Sequence, residues 1–245
     1  MSGNPRSDGG GVVNVFSGSL TLTNSTVSGN SAARFGGGVD NYQGTMTLTN
    51  STISGNSAST GGGAINGFGQ MFFVNSTISG NTAASKGGGV YSSGRSGNLR
   101  SDVVFTRTLL SGNTAPQGAE VYQLSGGVVT ANNFNLFGHS GLTTVQALGG
   151  SGVILFGASD ITATSNGNDP TALAAILTTT LADNGGSTRT HALPATSPAV
   201  DAVTNVSTCP PPAQDQRGVT RPQDGNGDGG VACDVGAYEL LPPAL

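Results

Sequence analysis

Charge is scarce in this chain. Only 9% of its 245 residues are charged, and nine Lys and Arg residues against 13 Asp and Glu residues leave a formal net charge of −4. Because a protein that follows a phosphate backbone presents a basic face, this composition argues against a nucleic-acid partner. The sequence also lacks an apolar run of the length that crosses a bilayer, so we expect no membrane span.

Cysteine is nearly absent. The two that occur, Cys209 and Cys233, lie in a C-terminal segment rich in Pro, Gly and Asp. A bridge between them would close a surface loop that has no core of its own, and the chain-entropy model assigns such a loop about 3 kcal/mol of stabilisation. We therefore predict a disulfide and an extracellular or cell-surface location, with two unrelated free thiols as the alternative.

Glycine, in contrast, is abundant, with 41 residues, and it recurs periodically. Ser-Gly-Asn triplets that follow this period begin at residues 2, 28, 54, 79 and 111, and glycine triplets begin at residues 9, 36, 61 and 87. A period of about 25 residues is typical of a solenoid, whose units bury their core by stacking on their neighbours. Because the first Ser-Gly-Asn lies at the N-terminus and elsewhere ends a unit, we expect the chain to be truncated upstream.

Each repeat contains short segments in which apolar and polar side chains alternate, as in residues 20–23 and 46–49. A period of two indicates strands. Two more short strands follow in each unit, around positions such as Ile53 and Val90. Three strands per coil, joined by Gly and Asn corners, predict an all-β parallel β-helix with about 25 residues per coil. The glycine triplets suit corners that need positive φ and close approach of adjacent backbones.

Asparagine recurs at two corners of the repeat. One column contains Asn30, Asn56, Asn81 and Asn113, and the other contains Asn24, Asn50 and Asn75. A stacked amide donates to one neighbouring coil and accepts from the other, so we predict that both columns form amide ladders. The second column also forms three Asn-Ser-Thr sequons, for which N-glycosylation is the alternative.

The C-terminal part differs from the repeats. We expect residues 1–141 to form coils, and residues 142–245 to form the last coils and an irregular capping region that contains the disulfide. Charged side chains concentrate there, and they suit either a catalytic cluster or the salt bridges of a cap, of which we favour the second. They are Asp183, Arg189, His191, Asp201, Asp215, Arg217 and Arg221.

Two sets of sequence motifs resemble those of a known class of protein. The Gly-Gly-Gly-Val and Ser-Gly-Asn repeats resemble those of bacterial right-handed parallel β-helix surface proteins, including chlamydial polymorphic outer-membrane proteins. Residues 181–193, 197–202, 215–218 and 233–239 resemble the C-terminal region of bacterial choice-of-anchor β-helix proteins. This resemblance implies right-handed coils, in agreement with the usual crossover rule, and a secreted or surface-attached protein.

Outward-facing Thr residues of the first strand give way to apolar residues in later repeats, at Phe72, Val74 and Val104. If the alternation holds, these side chains form an exposed patch that suits a sugar face or a partner protein. Residues 94–101 lengthen one unit and contain Arg95 and Arg100, so we expect a projecting loop that suits an acidic or hydroxylated glycan. The alternatives are that this loop covers the patch, or that it is a solvated insertion.

Few carboxylates lie within the repeats. Catalysis by a β-helix enzyme on a polysaccharide needs either clustered carboxylates, which work in pairs about 5 to 10 Å apart, or calcium with a Lys or Arg base. The carboxylate candidates are Asp40, Asp102 and Glu120. Asp40 and Glu120 are three coils apart, which corresponds to about 14 Å, and Asp102 and Glu120 fall on different strands. The sequence therefore gives little support to a catalytic site, and it leaves the question of an enzyme open.

The segment from Asp224 to Gly229 reproduces the first half of a calcium loop. Asp224, Asn226 and Asp228 alternate with glycines, and the sixth position is Gly229. The twelfth position is Val235 rather than Glu, and Asp234 is the neighbouring carboxylate that would complete the shell. We predict a structural Ca²⁺ ion bound by Asp224, Asn226, Asp228 and Asp234.

Two functions remain. The first is a surface module that recognises a polysaccharide, a cell-surface glycan or a protein partner, with Phe72, Val74, Arg95, Arg100 and Val104 as the binding residues. The second is a glycoside hydrolase or lyase with a site on an exposed strand face, which depends on analogy with other proteins of this shape. We favour the first.

Overall fold

The chain folds into a parallel β-solenoid of about 6 turns with about 26 residues per turn. A computed structural model describes residues 10–94, 100–131, 133–204, 209 and 213–243. Three sheets of six parallel strands run along the solenoid, and each coil contributes one strand to each sheet. The all-β class, the parallel stacking and the three strands per coil are as predicted from the repeat.

The strands of each sheet lie in chain order, one coil after another. Sheet 1 contains Val12–Val15, Val39–Tyr42, Ala64–Gly67, Val90–Ser93, Val121–Gln123 and Leu148–Gly150. Sheet 2 contains Ser19–Thr23, Thr45–Thr49, Gln70–Val74, Asp102–Thr106, Val128–Ala131 and Val153–Phe156. Sheet 3 contains Thr26–Ser28, Thr52–Ser54, Thr77–Ser79, Leu109–Leu110, Leu136–Phe137 and Ile161–Thr162.

Little else is regular. A further strand pair is formed by Ser57–Thr60 and Thr82–Lys86. The described residues contain two helices of four residues each, Thr144–Ala147 and Leu173–Ile176. Across the part of the chain that the structure describes, no helix is long and apolar enough to cross a bilayer.

The core lies between the three sheets. Leu48, Phe73 and Phe105 occupy equivalent inward positions in consecutive strands of sheet 2, and each is at most 1% exposed. The rings of Phe73 and Phe105 stack with their centroids 5.2 Å apart. Fully burying side chains of this size contributes about 1.5–3 kcal/mol each, so the stacked columns account for much of the stability.

The glycine triplets form the corners that lead into sheet 1. Gly36 and Gly61 have positive φ values of 57° and 67°. A Cβ atom on Gly37 would lie 2.4 Å from the backbone oxygens of Gly62 and Ser57 in the next coil. These positions therefore need glycine both for conformation and for close approach, as predicted.

One of the two asparagine columns forms the predicted ladder. Asn30 donates to Asn56 and Asn56 to Asn81 at 3.0 Å, and Asn81 donates to Asn113 at 2.9 Å. Each Nδ2 donates one hydrogen bond to the amide of the following coil, so the last amide needs a different acceptor. Glu120 supplies it, because Asn113 Nδ2 donates to Glu120 Oε2 at 2.6 Å.

The ladder prediction is wrong for the column that contains Asn24, Asn50 and Asn75. These residues have φ values of 48°, 47° and 46°, in the left-handed region that Asn tolerates better than most residues. Asn50 Nδ2 donates to Gln214 O at 2.7 Å, and Asn75 Oδ1 accepts from Arg107 Nε at 2.6 Å, rather than from a neighbouring asparagine. Asn50 and Asn75 are 1% exposed, which hides two of the three sequons from glycosylation in the folded chain.

The irregular C-terminal region lies along the outer face of sheet 3. Thr52 Oγ1 donates to Gln216 Oε1 at 2.7 Å, and Ala237 N donates to Thr77 Oγ1 at 3.0 Å. We call residues 177–204 and 213–240 the C-terminal strap. Sheet 3 is consequently buried on both faces from its second to its fifth strand. The capping region thus covers the side of the solenoid, a placement that the sequence did not predict.

Apolar contacts and the disulfide fix the strap. Its apolar side chains form a second core with Leu109 and Leu136 of sheet 3. Cys209 and Cys233 form the predicted disulfide, with their Cα atoms 6.0 Å apart and 24 residues apart in sequence.

Candidate functional site

The three sheets differ in how far their outer faces are covered. The strap covers sheet 3. Asp40 and Ile65 on the outer side of sheet 1 are fully buried, and Lys86 of the additional strand pair places its Nζ atom 4.9 Å from the ring centre of Tyr122 there. Outward side chains of sheet 2, such as Thr47 and Phe72, remain partly exposed. Sheet 1 is exposed at its first strand, where Val13 is 38% exposed, whereas the outer face of sheet 2 is at least partly exposed in all six strands.

A polar cleft lies where sheet 1 turns into sheet 2. It has a volume of about 440 Å³. Its lining comes from the same corner of four successive coils, and we call it the corner groove. It is lined by Ser17, Gln43, Gly44, Thr45, Phe68, Gly69, Gln70, Arg100 and Asp102. Because stacked coils are about 4.8 Å apart, the groove crosses the strands over about 14 Å along the solenoid axis.

A second amide ladder lies beneath the floor of the groove. Asn14 donates to Asn41 at 2.9 Å, and Asn41 donates to Asn66 at 2.8 Å. Asn41 also donates to Gly44 O, and Asn66 to Gly69 O, each at 3.0 Å. The ladder is buried, so the corner backbone is held in place before any ligand arrives, which lowers the entropic cost of binding.

The two walls present neutral polar groups beside the ring of Phe68. On one side, Gln43 and Phe68 have left-handed backbones, with φ values of 59° and 60°, that turn the chain from sheet 1 to sheet 2. On the other side, Thr45 and Gln70 are the first residues of consecutive strands of sheet 2 and face outward. Amides and hydroxyls both donate and accept hydrogen bonds, so these walls suit a ligand that does the same.

Arg100 and Asp102 lie at the end of the groove nearest the C-terminus. Arg100 Nη2 is 3.5 Å from Asp102 Oδ1, and the two side chains are 60% and 33% exposed. Asp102 Oδ1 also accepts a hydrogen bond from Val128 N at 3.0 Å, which fixes the carboxylate. The charged part of the lining is thus one cation beside one anion.

An aromatic strip borders the groove. Phe68 lies in the lining, and its ring packs edge-on against Tyr42, with centroids 5.7 Å apart. Tyr42 packs against Phe16 at 6.1 Å, and Phe16 is 57% exposed. The strip adds an apolar surface beside the polar walls.

The structure places four of the five predicted binding residues beside or within this groove. Arg100 lines it. Phe72 and Val104 are paired neighbours on the outer face of sheet 2, Val74 follows on the same face, and all three are half-buried. Arg95 lies outside the described residues. The apolar patch is continuous with the groove through Gln70, and its role in binding stays a prediction.

The three candidate carboxylates do not lie together in one site. Asp40 is buried on the outer side of sheet 1, and Glu120 is buried at the end of its ladder. Burial raises the pKa of Glu120 to about 7, although hydrogen bonds from Asn113 and Gly112 act in the opposite direction. Asp102 is the one carboxylate among the described residues that line the groove.

The acidic loop of the predicted calcium site is held by its own hydrogen bonds. Asp224 accepts from Gly227 N at 2.8 Å and from Gly229 N at 3.0 Å, and Asp228 Oδ2 accepts from Asn226 Nδ2 at 3.0 Å. The two oxygens of Asp234 accept instead from Asp201 N and Leu240 N. Within the described ranges, no three His, Cys, Asp or Glu side chains group as metal ligands. Calcium binding stays a prediction.

Four charged residues of the strap form two buried ion pairs. Arg221 pairs with Glu239 at 3.0 Å, and Arg217 pairs with Asp215 at 2.7 Å. All four side chains are at most 6% exposed. Removing one partner of such a pair would leave a buried charge, so these residues hold the strap together.

His191 joins the strap to the solenoid. Its Nε2 is 2.8 Å from Ser54 Oγ, and its Nδ1 is 2.7 Å from Thr178 O. Since a carbonyl only accepts, we assign the proton to Nδ1, which leaves Nε2 to accept from the hydroxyl. Burial lowers the pKa of His191. The contact is buried, and it docks the strap on sheet 3.

Sequence reasoning missed the second ladder and the aromatic strip. The ladder had a signal, because Asn14, Asn41 and Asn66 recur with the period of the repeat. The strip had a weaker one, since Tyr42 and Phe68 occupy neighbouring rather than equivalent corner positions.

Comparisons of this chain with protein-family models, with curated proteins and with solved structures found no match. The assignment of the fold therefore rests on the strand register of the chain itself.

Proposed function

We propose that this protein is a secreted or cell-surface module that recognises a glycan in the corner groove. The observation that supports the proposal is the groove itself, a polar cleft of about 440 Å³ with a fixed floor on the accessible side of the solenoid. Its elongated shape suits a polymer better than a compact ligand.

The chemistry of the lining favours a hydroxylated ligand. Gln43, Gln70, Asp102 and Arg100 carry planar polar groups, and such groups engage two neighbouring hydroxyls at once. The aromatic strip offers a surface for the C–H face of a sugar ring. A sugar needs this combination of an apolar face and polar edges.

Binding fits the lining better than catalysis does. Hydrolysis by the usual routes needs a second carboxylate within about 10 Å of Asp102 on the same groove. Asp40 and Glu120 are both buried, and Asp102 is already bonded to Arg100 and Val128 N. A glycoside hydrolase is therefore the less supported alternative, and a lyase depends on analogy with other proteins of this shape.

The disulfide supports a location outside the cytoplasm, because such bonds persist in oxidising compartments. The resemblance of the repeats to bacterial β-helix surface proteins supports attachment to a cell surface. A protein partner docked on the patch of Phe72, Val74 and Val104 is the alternative ligand.

Affinity electrophoresis against a panel of polysaccharides tests the proposal. We expect the Gln43→Ala, Gln70→Ala double variant to bind at least tenfold more weakly than wild type at an unchanged melting temperature. The matched control is Thr49→Ala, on the same face of sheet 2 but outside the groove lining. Retardation of wild type by none of the polysaccharides would contradict glycan recognition.

A further inference from the structure

We propose that the corner groove selects an uncharged, linear glycan that runs along the solenoid axis with about one sugar residue per coil. This inference rests on the proposed function, and it adds the direction, the length and the charge of the ligand.

The direction follows from how the groove is built. Ser17, Gln43 and Phe68 lie on one wall at the same corner of consecutive coils, and Thr45 and Gln70 are paired residues on the other wall. A chain laid along the axis meets a new set of these groups at each coil. Coil spacing is about 4.8 Å, close to the length of one pyranose in an extended glycan, so a groove of about 14 Å holds about three residues.

The charge follows from Arg100 and Asp102. They are the charged groups of the described lining. Their charged atoms lie 3.5 Å apart, so the positive and negative charges offset each other. Val128 N holds the Asp102 carboxylate in place, so it stays where it would face a uronate on the ligand. The net charge of −4 adds a long-range repulsion toward polyanions.

A neutral hydroxyl satisfies both groups. It accepts a hydrogen bond from the exposed guanidinium of Arg100 and donates one to Asp102, which a carboxylate cannot do. The other end of the groove, near Ser17, adds no charge to the lining. The aromatic strip there favours sugars whose C–H groups gather on one face of the ring.

Calorimetric titration of the full chain with two matched ladders tests the inference. One ladder is cello-oligosaccharides of one to six residues, and the other is the same oligosaccharides oxidised at C6 to uronates. We expect affinity for the neutral ladder to rise up to three or four residues and then level off. We expect the oxidised ladder to bind at least tenfold more weakly at low ionic strength.

Variants at Arg100 and Asp102 test the charge selectivity directly. Asp102→Asn keeps an oxygen that accepts from Val128 N but removes the negative charge. The ratio of the affinity for the neutral ladder to that for the oxidised ladder should therefore fall at least fivefold. Arg100→Gln leaves the carboxylate uncompensated, so the preference should grow. Thr49→Ala should leave it unchanged.

The outcomes separate this inference from the proposed function. Equal or stronger binding of the oxidised ladder by wild type would overturn the neutral selectivity while glycan recognition stands. Affinity that levels off at a single sugar, or that rises through six residues, would overturn the axial placement. If the chain binds neither ladder nor any polysaccharide of the wider panel, the proposed function fails as well.

Discussion

Asn113 Nδ2 donates a 2.6 Å hydrogen bond to Glu120 Oε2, and this contact ends a ladder that begins at Asn30. The carboxylate is fully buried, and its pKa is raised from 4.5 to about 7 because burial disfavours the charge. The contact that completes the ladder therefore also makes stability depend on pH.

The first prediction concerns that dependence. The folded state holds a proton that the unfolded state releases, so the stabilisation is complete below about pH 4.5 and is lost as the pH rises to about 7. Glu120→Gln cannot release this proton. Over this range, the unfolding free energy of wild type should fall relative to Glu120→Gln by on the order of 3 kcal/mol, measured by urea denaturation. Parallel pH profiles for the two proteins would show that Glu120 does not titrate in this range.

The second prediction concerns the floor of the groove. Asn41→Ala removes the donor for Gly44 O, Asn66 Oδ1 and Gln70 O, and it also leaves Asn14 with one acceptor fewer. Buried groups that lose their partners cost more than the hydrogen bonds contributed, so we expect a loss of about 2 kcal/mol.

Urea denaturation measures this loss, with Thr47→Ala as the control because Thr47 faces outward from sheet 2. The control should lose about 0.5 kcal/mol or less. Equal losses in the two variants would mean that the ladder does not support the corner.

The third prediction concerns the disulfide. Replacing both Cys209 and Cys233 with Ser frees a loop of 24 residues, which the chain-entropy model values at about 3 kcal/mol. Hydrogen exchange should become faster in the strap, near Val203 and Val235, while Phe73 and Phe105 in sheet 2 stay protected. Unchanged exchange in the strap would show that its apolar contacts hold it without the bridge.

The fourth prediction concerns calcium. If Asp224, Asn226 and Asp228 bind Ca²⁺, an excess of 100 times the dissociation constant should stabilise the chain by about 2.7 kcal/mol and raise its melting temperature by roughly 5 to 10 °C. Asp228→Asn should reduce the shift, and Mg²⁺ serves as the control ion. A wild-type melting temperature that is the same with Ca²⁺ and with a chelator would rule the loop out as an ion site.

The coils could be predicted because they repeat a physical requirement. Each unit must bury the inward side chains of its strands and turn three times, so positions such as Leu48, Phe105 and Gly61 carry the same information in every copy. Apolar and polar residues alternate with a period of two inside a repeat of about 25 residues, and few architectures other than a parallel β-helix have this combination.

The groove and the strap could not be predicted in the same way. The groove walls vary from coil to coil. The register aligns Phe16, Gln43 and Phe68, and these residues do not share one chemical type that would mark the column. The strap did leave a signal in the sequence. On the outer side of sheet 3, the two preceding coils have Thr52 and Thr77 at the position that Leu109 occupies, so an apolar residue replaces a polar one. The equivalent change in sheet 2, at Phe72 and Val104, predicts an exposed patch rather than a covered face.

The strap also changes how the repeats depend on one another. In an ordinary solenoid each repeat touches only its neighbours, so coils detach one at a time from either end. Here Arg189 O binds Thr26 in the first coil, and Gly236 N binds Arg107 O in the fourth. Because the strap contacts coils that do not touch one another, it couples their unfolding. The loss of one coil then weakens the attachment of the others.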